Sequence, residues 1–139
     1  MKVLLDVNVV LDVLLDREPH VEASAAVWAA VESGLAEGFL AAHAITTIHY
    51  LVRKERGSPK AKRVIAALLR VFSIAPVDGT VIREALELPS LDFEDSVAAA
   101  AAGSAGCDVV VARDPKGFHG SRVRVLTPEA AVPLLTAPR

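Results

Sequence analysis

The chain opens MKVLLDVNVVLD (residues 1–12), and the reading of these residues decides the fold. A short apolar run, Val3-Leu4-Leu5, ends on Asp6. A strand that starts at residue 2 buries this run and delivers a carboxylate at its C-terminal end. In an open α/β sheet that end is where ligands bind. The same charge in mid-strand would be a folding problem, because an unpaired buried carboxylate is costly. Asn8 and Asp12 follow, four apart, inside a second apolar run.

Outward from this stretch, residues 7–15 read as a helix, with Val9, Val10, Val13 and Leu14 at helical spacing. Asp16-Arg17-Glu18-Pro19-His20 is a break. Residues 20–34 form a second helix ending at Gly34, with Trp28 in the core or at a partner surface. Gly38–Ala42 is a short buried strand, followed by a helix to about Arg56 with Thr46 and Thr47 near its start. Gly57-Ser58-Pro59 ends that helix and starts another to about Arg70, Ser58 as N-cap and Pro59 at the first helical position. Ser73–Val77 is a strand candidate, and Asp78 caps a helix through Leu88. Asp92-Phe93-Glu94-Asp95 opens an alanine-rich helix that Gly103 and Gly106 end. Its small residues let it approach its neighbours closely and draw its first turn toward the centre of the fold. Asp108–Ala112 is the most strand-like segment, Arg122–Leu126 a last strand, and Thr127-Pro128-Glu129 the start of a short helix before a Pro-rich, frayed tail. Strands alternating with helices imply an α/β fold with a parallel sheet covered on both faces.

The 139 residues fit one domain, 1–139, with a core over about 2–127. Apolar residues make up 53% and charged residues 23%, which is globular and not disordered composition. No apolar run reaches the ~18 residues of a membrane span, and the N-terminus lacks a signal-peptide pattern. Cys107 stands alone, so it forms no internal disulfide and no cysteine-rich zinc site, and is expected as a small apolar filler. These points favour the cytoplasm and no membrane partner. Net charge is −2, but residues 53–70 carry +6 and the remainder −8. A basic segment on an acidic body is either a surface for a polyanion or a solvated helix face.

Three carboxylate sources share one kind of location. Asp6 follows the first strand, Asp114 follows the fourth, and Asp92, Glu94 and Asp95 begin the helix leading into that fourth strand. If the two strands are neighbours, these charges gather and repel, and without compensation one takes up a proton. A divalent cation removes that penalty, and Mg²⁺ or Mn²⁺ suits hard oxygen ligands. Such an ion beside a basic surface points to phosphodiester chemistry. Plainer readings stand beside these: Asp6 as a helix cap, Asp114 as a turn residue before Pro115, Asp92 or Glu94 as helix-start residues, Asp12 and Asp16 as solvated side chains. His20, His43, His49 and His119 show no ligand spacing and read as structural or exposed.

At these residues the sequence resembles the PIN-domain family, compact nucleases that include toxins of VapC type. The resemblance spans about residues 2–127. It is carried by LDVNVVLDVLLDREPH (5–20), AHAITTIHYLVRK (42–54), LDFEDSVAAAAA (91–102) and VVVARDPKGF (109–118), in that order. It implies a three-layer α/β/α sandwich around a five-stranded parallel sheet, and Mg²⁺- or Mn²⁺-dependent cleavage of RNA. It makes Asp6, Asp95 and Asp114 the catalytic metal ligands, with Glu94 as an auxiliary ligand and Asn8 supporting Asp6. Thr46 and Thr47 stand where many members carry a glutamate, and no acid lies between Glu37 and Glu55. Ala112 replaces a common Thr or Ser. The expected supporting groups are therefore Asn8, Thr46 and Thr47, and the expected phosphate-binding groups are Arg53, Lys54, Arg56, Lys60, Arg113 and Lys116. The expected partners are RNA, an antitoxin protein and a second copy of the chain. The alternatives are a catalytically weak or inactive RNA- or partner-binding module and, more remotely, an aspartyl-phosphate receiver or phosphatase.

Overall fold

The first strand of the chain is the middle of the sheet. In the computed structural model, which describes residues 1–138, β1 (Lys2–Leu5) lies between β2 (Glu37–Ala41) and β4 (Val109–Val111). β3 (Ser73–Ala75) and β5 (Arg124–Leu126) complete a five-stranded sheet in the order β3-β2-β1-β4-β5. Every pairing is parallel, with Leu4 opposite Phe39 on one side and Val110 on the other. The strand order puts Asp6, just past β1, next to the end of β4, and the Asp6 N–H donates to the Val111 carbonyl at 2.9 Å.

Alternation along the strands sends side chains to two separate cores. Val3, Leu5, Leu40, Val109 and Val111 face α1 (Val7–Leu14), α2 (Val21–Glu32), α3 (Ala42–Arg56), α4 (Ser58–Val71) and α7 (Pro128–Thr136). Leu4, Phe39, Ala41, Val110 and Ala112 face α5 (Gly79–Leu86) and α6 (Phe93–Ser104). This is the three-layer α/β/α sandwich with a parallel sheet. Gly38 permits close packing inside the first core, since a Cβ there would run into Val31 and Phe72. Trp28 is half-buried, stacked edge-on against Phe72 and donating to Glu32. Cys107 is buried as a filler, and desolvation pushes its thiol up to about 11. Among the described residues, no helix is long and apolar enough to cross a membrane.

Several boundaries differ from the sequence reading. Gly57, at φ +87°, makes the sharp turn between α3 and α4, so Ser58 is the first residue of α4 and does not cap it. β3 stops at Ala75 because Pro76 has no N–H to continue the ladder. Gly103 lies inside α6, and the reversal falls to Gly106 at φ +76°. Asp78 does cap α5, accepting from Val81 N–H at 2.9 Å. The short helix expected from Thr127-Pro128-Glu129 is α7, which runs to Thr136 and packs on the first core through Ala131 and Leu135; Arg139 lies outside the described residues.

Asp12 is the largest correction. It is not solvated: its exposure is 0%. α1 is apolar on nearly every side, and a helix of that kind is buried, so its one acid had to find partners inside. Arg17 Nε donates to Oδ1 at 3.0 Å and Ser24 Oγ to Oδ2 at 3.2 Å. Asp16, exposed and at φ 52°, ends α1 in a left-handed turn, and Arg17 N–H reaches back to the Asp12 carbonyl at 3.0 Å. This is a Schellman ending with Asp in the place usually held by Gly. It returns Arg17 over its own helix.

Candidate functional site

A cleft of about 520 Å³ opens at the C-terminal edge of the sheet. Asp6, Asn8, His20, Asp92, Glu94, Asp95, Arg113 and Asp114 line it. β1 delivers Asp6, β4 leads to Arg113 and Asp114, and the first turn of α6 brings Asp92, Glu94 and Asp95. Ala98 through Ala102 are all buried, so α6 sits close against the sheet and its acidic start reaches the cleft. Asp92 caps α6, its Oδ1 accepting the Asp95 N–H at 3.1 Å.

The electrostatics of the cleft are those of crowded like charges. Burial raises the Asp6 carboxyl above its ordinary range, the N–H groups of Val7 and Asn8 oppose this, and Glu94 and Asp92 push it further up. Asp95 is pushed to about 7, first by desolvation, then by the Asp6 and Asp92 charges, a hydrogen bond with Asp92, and Glu94. Asp95 thus shares its proton with solvent near neutrality. The cheapest relief for such a group is a cation.

The donor set fits a hard divalent ion: every anionic group is a carboxylate, and neither cysteine nor a histidine pair stands among them. Among the described residues, however, no three His, Cys, Asp or Glu side chains stand close enough together to hold an ion as they are arranged. Each acid has its own tether. Asp114 Oδ1 accepts the Lys116 N–H at 3.2 Å and caps the 3₁₀ turn Pro115–Phe118. Thr47 Oγ1 donates to Glu94 Oε1 at 3.4 Å. The Asp95 carboxylate lies against Gly117, where a Cβ would collide with it.

The anticipated supporting and basic groups divide. Asn8 lines the cleft, its Oδ1 accepting from Arg17 Nη2 at 3.3 Å. Thr47 reaches Glu94, but Thr46 donates to the His43 carbonyl at 2.9 Å within its own helix and does not face the acids. Arg113 lines the cleft, and Lys116 is exposed on the adjoining turn. Arg53, Lys54, Arg56 and Lys60 are exposed around the α3–α4 junction. Arg53 is roughly 16 Å along α3 from the cleft end of that helix, at 1.5 Å per residue. His20 was missed as a cleft residue; its place just before α2, straight after the break, was the available signal.

A family model described as a PIN domain matches residues 2–116. The fold is similar to FitAcB from Neisseria gonorrhoeae, with 21% identity, TM-score 0.71, and coverage of 91% of this chain and 98% of that one. It is similar to DNA-bound VapBC from Salmonella typhimurium, with 16% identity, TM-score 0.69, and coverage of 92% and 98%. It is also similar to VapC20 of Mycobacterium tuberculosis, described as a sarcin-ricin loop cleaving toxin, with 16% identity, TM-score 0.65, and coverage of 84% and 92%. No curated protein sequence matches. With the family match running from β1 through the turn after β4 and the same fold in these structures, the chain belongs to the PIN-domain family.

Proposed function

We propose that this single-domain protein is a metal-dependent endoribonuclease and the toxin of a toxin–antitoxin pair. The observation that carries the reading is that Asp6, Asp92, Glu94, Asp95 and Asp114 line one cleft beside Arg113. Asp6, Asp95 and Asp114 would hold Mg²⁺ or Mn²⁺, with Glu94 as an auxiliary ligand. The ion supplies Lewis-acid activation of water and charge neutralisation at the leaving oxygen. Asp95 would have to be deprotonated to serve as a ligand, which would couple metal binding to pH. Arg113, on the wall of the same cleft, offers the positive charge that draws in a phosphate. The likeness to FitAcB and VapBC supports an antitoxin partner, and a second copy of the chain is the other assembly partner of this reading.

The test is cleavage of a panel of RNAs by purified protein with Mn²⁺. Asp6→Asn should abolish cleavage while leaving the melting temperature unchanged or raised, since it removes a buried carboxylate. Equal cleavage before and after the change overturns the site. A second reading, a PIN-fold module that binds RNA or a partner without cutting, is favoured by Thr47 standing where an acid was expected and by the dispersed carboxylates. Calorimetry separates the two: binding of Mn²⁺ that is lost in Asp6→Asn supports the enzyme, and no binding at millimolar Mn²⁺ supports the module.

A further inference from the structure

Behind Arg113 lies a buried carboxylate, Asp12, that the proposed chemistry does not use. Asp12, with 0% exposure, has Arg17 Nε at 3.0 Å from Oδ1 and Arg113 Nε at 3.2 Å from Oδ2. Ser24 Oγ donates to the same Oδ2 at 3.2 Å. The Arg113 Nε is buried and within ion-pairing distance, though not aligned for a hydrogen bond. One buried anion is thus set between two cations, and both run outward: Arg17 to the Asn8 carbonyl and Oδ1, Arg113 to the cleft wall. A lone arginine beside Asp6, Asp95 and Asp114 would be expected to swing onto those carboxylates and neutralise them. Asp12 competes for it from below.

We propose that Asp12 is a positioning residue: through its buried pair with Arg113 it presents that guanidinium to a phosphate of bound nucleic acid and holds it off the cleft acids. The proposal rests on the reading of the cleft as a nucleic-acid site. A planar guanidinium suits this task, because one edge can face a carboxylate while the other binds phosphate oxygens.

The experiment is a double-mutant cycle on binding of a short fluorescent single-stranded RNA in Mg²⁺, in an Asp6→Asn background that keeps the probe intact. Arg113→Gln and Asp12→Asn should each weaken binding by roughly 10-fold or more, the scale of a charge-assisted contact. Combined, they should cost no more than Arg113→Gln alone. Each should flatten the dependence of log Kd on log salt by about 0.7, as for the loss of one phosphate contact with a single strand. A merely structural role for Asp12 would lower the active fraction and leave that slope unmoved. If Asp12→Asn does not fold, Ser24→Ala takes its place in the cycle. It loosens the same oxygen without removing the charge, and should weaken binding when Arg113 is present and not when it is absent. Additive losses, or an unchanged salt slope, overturn the positioning role while leaving the cleft reading intact. Failure of the parent protein to bind the RNA overturns both.

Discussion

On one face of the sheet, Val3, Leu5, Leu40 and Val111 meet Leu11, Ile48, Val52 and Leu68. On the other, Leu4, Phe39 and Val110 meet a helix whose buried residues include the run Ala98 through Ala102. The first layer is thick, made of large branched side chains, and spread over α1, α2, α3, α4 and α7. The second is thin, and its alanines hold α6 close to the strands. Hydrophobic stabilisation scales with buried apolar area, so the thick layer contributes most of it. The thin layer sets a distance. It fixes how far the acidic first turn of α6 stands from the end of β1, and therefore the burial and the neighbouring charges that lift Asp95.

That division of labour can be broken by substitution in each layer. Ile48→Ala, in the thick layer, should cost about 2–5 kcal/mol of stability through lost contacts and a cavity. Activity per folded molecule should not change. Ala101→Leu, in the thin layer, should cost less, about 1–3 kcal/mol from overpacking, yet reduce RNA cleavage beyond the loss of folded protein. Denaturant unfolding with cleavage measured on the same samples checks both. If the two variants lose activity in proportion to unfolding alike, the layers do not differ in this way.

Gly117→Ala sharpens the comparison at a single atom. The new methyl would displace the Asp95 carboxylate from the far side, without touching either core. Cleavage should fall by roughly 10- to 100-fold, the effect of misplacing a reacting group by about an ångström. Stability should stay within about 1 kcal/mol, because the displaced group is the end of a side chain.

The smallest effect is one of pH. The Asp95 pKa is raised from 3.8 to about 7 in the folded protein. The folded state therefore keeps a proton that the unfolded chain releases, so stability falls as pH rises between those values and levels off above them. Asp95→Asn should remove this slope. It should melt with the wild type near pH 4 and a few degrees above it at pH 8. If Asp95 binds the cation, Mg²⁺ should narrow the gap at pH 8. Parallel melting of the two proteins across that range would show that Asp95 is not crowded.

Much of this was legible in the sequence, for reasons that can be named. The run Val3-Leu4-Leu5 followed by Asp6 and the run Val109-Val110-Val111 followed by Arg113-Asp114 announce strands that end in charge, and the parallel topology makes those ends neighbours. The run of alanines announced close approach. Asp12 reads as solvated because charge on a short helix suggests solvent, whereas a helix apolar on its other sides is buried and its acid takes partners inside. Thr46 and Thr47 are adjacent in sequence but 100° apart around α3, and only side-chain direction separates the one that meets Glu94 from the one that turns back to His43. The 3₁₀ turn after Asp114 and the packing of α7 depend on contacts between distant segments, which local pattern does not carry.

The central place of β1 also bears on the order in which the molecule is made. β1 cannot complete its pairing until β4 has been made; Lys2 N–H and its Asp108 partner are 106 residues apart. Closing a loop over such a span costs entropy before any contact rewards it, and non-local pairing of parallel strands is intrinsically slow. A nascent chain that stops before β4 holds Asp6 and the basic α3–α4 segment but lacks Arg113 and Asp114. The cleft therefore needs both β1 and β4, and a fragment that stops before β4 lacks the Arg113 and Asp114 wall.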